Sequence, residues 1–118
     1  MSDHDVRMIM LSTEDLDASI RFYNEALGMP LKFRDGDHFA AIDGGSVTLA
    51  LATKIDHPIP GQVVVGIKTA DVDAAAKAVE ENGGGIVTAA YNDAHERRAV
   101  VYDSQGNGIV FYSPLPRS

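Results

Sequence analysis

The side chains able to do chemistry in this chain are few and scattered. It has no cysteine, which excludes disulfides, thiolate metal sites and cysteine nucleophiles together. The four histidines, His4, His38, His57 and His95, include no pair at the H-x-x-x-H spacing that sets two imidazoles on one helix face. His4 and His57 read as solvated loop residues. His95 lies with Glu96 in the polar connection "NDAHE" and reads as surface, unless that loop borders a cavity mouth. His38 is the best placed for a cavity, with an ordinary strand-end role as the alternative. Lys68 can act as a desolvated base or a hydrogen-bond donor, or simply reach back to solvent. Tyr102 and Tyr112 can stack on a flat ligand or donate a phenolic proton, and interior packing with one satisfied hydroxyl accounts for them nearly as well. Ser12 has no histidine positioned to complete a triad.

The elements that must position these groups are written twice. A strand over 7–12 leads into an amphipathic helix from Asp15 to about Leu27, then strands near 31–35, 38–43 and 47–52. The same order recurs: a strand over 63–68, a helix from Asp71 to about Asn82, and strands near 86–91, 97–103 and 108–113. Each half is therefore βαβββ. "EDLDAS" and "ADVDAA" both put an Asp at the N-cap and another in the first turn, where unpaired amides favour oxygen and negative charge. Gly28 and Gly83 stand where a left-handed residue ends each helix. Leu16, Ile20, Tyr23 and Leu27 form the apolar stripe of the first helix, and Val72, Ala76 and Val79 the thinner stripe of the second. The polar, proline-containing stretch "TKIDHPIPGQ" (53–62) links the halves. At 118 residues the chain has room for one domain, divided into a module of about 6–52, this linker, and a module of about 63–113.

Alternate strand residues face opposite ways, so each half sorts into two sets. Ile9, Leu11, Leu49, Leu51, Val65, Ile67, Ile109 and Phe111 are uniformly apolar and should pack under the helices. The other set comprises Met8, Met10 and Ser12; Thr48, Ala50 and Ala52; Val64, Gly66 and Lys68; and Gly108, Val110 and Tyr112. The third strands add His38, Ala40 and Ile42 in one half, and Arg98, Val100 and Tyr102 in the other. A face that mixes glycine, adaptable methionine and polar tips is what lines a concave ligand cavity. A fully packed interior or a dimer contact is the competing reading.

These residues carry a resemblance. The doubled βαβββ order, with "EDLDASIRFYNEALGM" and the closing hairpin "VVYDSQGNGIVFY", resembles the vicinal oxygen chelate superfamily of glyoxalases, bleomycin-resistance proteins and extradiol dioxygenases. In its metal-dependent members, the resemblance implies ligands seven residues before the Asp that opens each helix and seven after the Asp that closes each third strand. Here those positions are Met8, Val64, Ala50 and Val110. None supplies the nitrogen or oxygen that Zn, Fe, Mn or Ni requires. The family's Asp-Pro-Asp-Gly turn is "DSQG" in this chain, a departure that touches no ligand position.

The expected fold class is accordingly α+β, two tandem βαβββ modules forming a curved mixed sheet around a cavity, with helices on the outer face. The expected function is metal-independent binding of a small molecule of the bleomycin-resistance kind, sequestering a hydrophobic, aromatic or cationic compound such as an antibiotic, with no cofactor and no metal. The expected contacts are Met8, Met10, Ser12, His38, Ala50, Val64, Gly66, Lys68, Arg98, Tyr102, Gly108, Val110 and Tyr112. The alternative is a metal-free lyase, isomerase or cyclase using Lys68, His38 or Tyr112 as acid or base. A third possibility is an interaction module that keeps the fold over a filled interior. A net charge of −7 disfavours nucleic acid and anionic membranes as partners and suits a neutral or cationic ligand. No apolar run approaches the roughly 20 residues of a membrane span, and "MSDHDVRM" lacks the basic and apolar regions of a secretory signal, so the expected compartment is the cytoplasm. The resemblance implies a homodimer.

Overall fold

The computed structural model describes residues 3–116 and has the α+β class read from the sequence, two successive βαβββ modules. The first comprises β1 (Asp5–Ser12), α1 (Leu16–Arg21), a π-helical turn (Phe22–Ala26), β2 (Leu31–Asp35), β3 (Phe39–Asp43) and β4 (Thr48–Ala52). The second comprises β5 (Val64–Lys68), α2 (Val72–Glu81), β6 (Gly85–Asn92), β7 (Glu96–Tyr102) and β8 (Gly108–Pro114). Contacts group the chain into two compact units, residues 7–64, and residues 65 onward together with the N-terminal stretch through Val6. No helix of the described residues is long and apolar enough to cross a membrane.

Within the first module the strands run in the order β2-β3-β4-β1, with β1 parallel to β4 and the other neighbours antiparallel. The second repeats this as β6-β7-β8-β5, with β5 parallel to β8. In each, the helix is the crossover that a parallel pairing requires. Both helices start as expected. The Asp15 carboxylate accepts from the Ala18 amide at 3.0 Å, and Asp71 accepts from Ala74 at the same distance.

Each helix buries one face on its own module. Leu16 packs with Ala40, Ile42 and Leu51, with Leu11, Ile20, Tyr23, Met29 and Leu49 around them. Val72, Ala75 and Ala76 pack with Ala99, Val101 and Phe111, flanked by Ile67, Val79 and Ile109. The inward set read from β1, β4, β5 and β8 therefore holds where these cores record it.

Two details differ from the sequence reading. The first helix passes into the π-turn, whose extra residue rotates the following side chains, so Leu27 leaves the apolar stripe and is 59% exposed. Met29 packs on the core instead. The second is the phase of β3. Ala40 lies opposite Leu51 and Ile42 opposite Leu49, so both belong under α1 and not on the other face. A strand of small and apolar residues, "FAAID", carries no alternation by which its phase can be fixed, and a slip of one residue exchanges the two faces.

Candidate functional site

The first module holds a cavity of about 650 Å³ where β1 ends and the linker begins. Ser12, Thr13 and Glu14 approach it from the end of β1, Asp37 from the β2–β3 turn, and Lys54, Ile55 and Pro60 from the linker. The local sequence explains the shape. Thr53 donates its amide to the His38 carbonyl at 3.0 Å, prolonging the β3–β4 ladder, and the amides of Asp56 and His57 then turn back onto the Thr53 carbonyl at 3.0 and 2.9 Å. The chain returns at Gly61, whose amide donates to the Ser12 hydroxyl at 2.8 Å. Asp37 is anchored by Arg34, which also holds Asp17 of α1 at 2.6 Å and the Gly36 carbonyl at 2.8 Å.

Two histidines flank this linker in opposite states. His38 points Nδ1 at the Asp56 carboxylate, with Asp35 3.9 Å from Nε2. The hydrogen bond to Asp56 raises the imidazole above its ordinary pKa, assisted by the charges of Asp35 and Asp37 and opposed by burial. His57, expected in solvent, is only 5% exposed. Its Nδ1 accepts from the Ile59 amide at 3.1 Å, so Nε2 carries the proton of the neutral ring, and that buried atom has no partner among the described residues. Burial lowers this pKa. The linker's composition announces a loop, and nothing in it announces that the loop folds over its own histidine.

Of the residues expected to contact ligand, Ser12 lines the cavity. Met8, Met10 and Ser12 lie opposite Thr48, Ala50 and Ala52, sharing the face turned from α1, where Met10 and Ala50 are buried. His38 sits in the turn before β3, outside the strand that was expected to present it. Its neighbours Asp37 and Thr53 reach the cavity.

In the second module the expected residues do share a face. Gly66 is opposite Val110, Lys68 and Arg98 are both opposite Tyr112, and Tyr102 is opposite Gly108. Val64, Gly66, Gly108 and Val110 are buried, Lys68 is exposed, and Arg98 and both tyrosines are intermediate. Beside them stand two carboxylates the sequence reading passed over. Burial raises the Glu96 pKa against the pull of Arg98. Burial also pushes Asp93 upward, but the amides of His95 and Glu96 and the Arg98 charge together hold it below its ordinary value. Their spacing in "NDAHER" gives no sign that Glu96 is shielded from water.

Of the positions that the resemblance marks for metal ligands, Met8 is half-buried, and Ala50, Val64 and Val110 are buried and apolar. This donor set does not fit a divalent cation. Among the described residues no three His, Asp or Glu side chains converge as a metal site would require.

Two βαβββ modules, each with an aspartate-capped crossover helix over a mixed sheet, define a protein built by repetition of one unit. The chain belongs to the Glyoxalase/Bleomycin resistance protein/Dioxygenase superfamily, whose sequence profile matches residues 6–111. It is 74% identical over 117 residues to an uncharacterized protein of Mycolicibacterium smegmatis, covering 99% of this chain and 100% of that one. Among solved structures it resembles a superfamily member from Vibrio splendidus 12B01, with a TM-score of 0.73 at 19% identity over 92% of this chain and 99% of that chain. It also resembles methylmalonyl-CoA epimerase from Mycobacterium tuberculosis, with a TM-score of 0.63 at 19% identity over 94% and 88%. At such identities the structural likenesses speak for the fold alone.

Proposed function

We propose that this chain is a metal-independent small-molecule binding protein that sequesters a hydrophobic, aromatic or cationic compound, an antibiotic among the candidates, without breaking a bond in it. The observation that carries the reading is the pairing of an emptied donor set at Met8, Ala50, Val64 and Val110 with a cavity in the first module. That cavity combines apolar Ile55 and Pro60, the hydroxyls of Ser12 and Thr13, and the carboxylates of Glu14 and Asp37 beside one lysine, Lys54. Glu14 and Asp37, the latter shared with Arg34, against the one ammonium of Lys54 favour a neutral or cationic group, and the apolar walls favour a body that is not fully hydrated. In this reading the first module's cavity takes the ligand, and the protein works as a cytoplasmic single-domain homodimer.

The metal-free enzyme remains the second reading because of one observation, the seating of His38 against Asp56. A carboxylate at Nδ1 orients an imidazole, and the upward shift of its pKa favours the protonated ring, the form that acts as an acid. A single experiment separates the two. Protein purified without a histidine tag is screened by thermal shift against cationic and neutral aromatic compounds, and the bound compound is then recovered and weighed by mass spectrometry. Sequestration predicts stabilisation with unchanged mass. A new mass that disappears in His38→Gln establishes the enzyme.

A further inference from the structure

The second module carries a row of side chains that the cationic-ligand reading does not use. Lys68 on β5 lies opposite Tyr112 on β8, Tyr112 opposite Arg98 on β7, and Arg98 opposite Tyr91 on the edge strand β6. Directly paired residues share a face, so the row reads cation, aromatic, cation, aromatic across one side of the sheet. Beside it on the same face, the neighbouring row of Gly66, Val110 and Val100 is small, apolar and buried.

Arg98 is the unusual member. Its side chain is 20% exposed, yet its buried Nε–H has no hydrogen-bond partner among the described residues. The nearest carboxylate is misplaced for it. Asp93 spends Oδ1 on the amides of His95 and Glu96, both at 2.8 Å, and leaves Oδ2 3.7 Å from Nη1, too long for a hydrogen bond. A buried guanidinium donor without an acceptor is costly, and an arginine fork fits a planar oxyanion with two parallel bonds. The other nearby acid, Glu96, has its charge disfavoured by burial, which lessens its competition for the same guanidinium.

We infer that this row is a subsite for a planar aromatic carboxylate: the oxyanion meets the Arg98 fork and the Lys68 ammonium, and the ring lies against the tyrosines. The inference rests on the small-molecule reading above and names a ligand class for the second module alone, opposite in charge to the one the first module's cavity favours.

The test uses three probes of one shape, benzoate, benzamide and benzylamine, titrated into the 15N-labelled protein at neutral pH and followed by amide shifts. Benzoate should perturb β7 and β8 around Arg98 and Tyr112 and bind at least about tenfold more tightly there than benzamide, the scale of a charge-assisted pair. Arg98→Gln should remove that preference and Lys68→Met should weaken it several-fold. Arg97→Gln, on the helix-facing side where Arg97 holds Asp73 at 2.7 and 2.8 Å, should leave it unchanged. The spectrum of each variant reports whether it has folded, and Lys68 is exposed enough to be replaced without disturbing a core. Benzylamine equal to benzoate at this face overturns the anion assignment and leaves the binding reading standing, as does benzoate affinity unchanged in both folded variants. Failure of all three probes to bind at this face overturns the inference, and failure of the wider thermal-shift panel as well takes the binding reading with it.

Discussion

The two modules share an order of elements and a capping device but reach their stability by different packing. Under α1, the fully buried bulk is Leu16, Ile42 and Leu51. Under α2 it is a bed of alanines, Ala75, Ala76 and Ala99, with Val72, Val101 and the single aromatic Phe111. Small residues let the helix approach the sheet closely, and the one large ring then fills what the alanines leave. The helix ends differ as well. α1 gives way to the π-turn, and the Met29 amide reaches back to the Tyr23 carbonyl at 3.1 Å. α2 closes on a Schellman pair, the Gly84 amide to the Val79 carbonyl at 2.9 Å and the Gly83 amide to Glu80 at 3.4 Å. Repetition has kept what starts a helix and which face it buries, and has let the ending and the filling diverge.

The largest effect expected from this difference is in the cores. Phe111→Ala removes the one large ring among alanines that cannot collapse into the space, and should cost about 4 kcal/mol. Leu51→Ala, whose neighbours Leu16 and Ile42 are themselves bulky and adjustable, should cost about 3 kcal/mol. Urea denaturation of both variants measures this, and a larger loss for Leu51→Ala would reverse the packing comparison.

Next come the helix ends. A Cβ at Gly84 would fall 2.4 Å from both the Tyr102 carbonyl and a Val79 methyl, one of them rigid backbone, so Gly84→Ala should cost roughly 2–3 kcal/mol. Gly28 has φ +67° but open space around its missing side chain, so Gly28→Ala should carry only backbone strain of about 1 kcal/mol. Equal losses would mean that the close approach of Gly84 to Tyr102 and Val79 is not what that glycine secures.

Smaller again, and expected to be the same in both modules, is the cap. Asp15→Ala and Asp71→Ala each remove one carboxylate-to-amide bond of 3.0 Å and should each cost about 1 kcal/mol. A difference much above half that amount would show that the two starts, alike in sequence, are not alike in energy.

The sequence made the repeat legible because its signals are local. Asp before a helix, Gly after it and alternation within strands such as "VVGIK" each act within a few residues. Leu27 and the phase of β3 were not legible for a matching reason. A π-turn changes the period after the residues that announce the helix, and "FAAID" has no polar residue inside it to betray its face. At the candidate sites, Ser12 follows from strand alternation and the apolar donor positions from the family resemblance, whereas the cavity depends on how residues 53–61 fold back to Ser12. The linker's prolines and glycine mark a turn without saying where it lands. Glu96 and His57 were missed because burial belongs to the surroundings of a polar side chain and leaves no trace in its own identity.

The finest comparison lies inside the first module, between His38 and His57. His38 has its pKa raised by Asp56, with Asp35 and Asp37 assisting, so the folded chain holds the proton more tightly than the unfolded one. That contribution is fully present below the unfolded value of about 6.5 and is lost as pH rises through the higher folded value. His57 has its pKa lowered by burial, so the unfolded chain takes up the proton more readily. Its effect has the opposite sign: stability is kept above about 6.5 and declines as pH falls toward the lower folded value. Other carboxylates, Asp103 among them with its pKa lowered by the Asn107 amide and side chain, also lose stability on acidification, but they do so in every variant. Differences against a variant therefore isolate each imidazole. Thermal unfolding from pH 5 to 8 should show the advantage of the native chain over His38→Gln shrinking as pH rises, and its advantage over His57→Gln shrinking as pH falls. Parallel curves for His57→Gln would mean that its ring is reached by water. Parallel curves for His38→Gln would mean that Asp56 does not hold its proton, and the acid role on which the enzymatic reading depends would go with it.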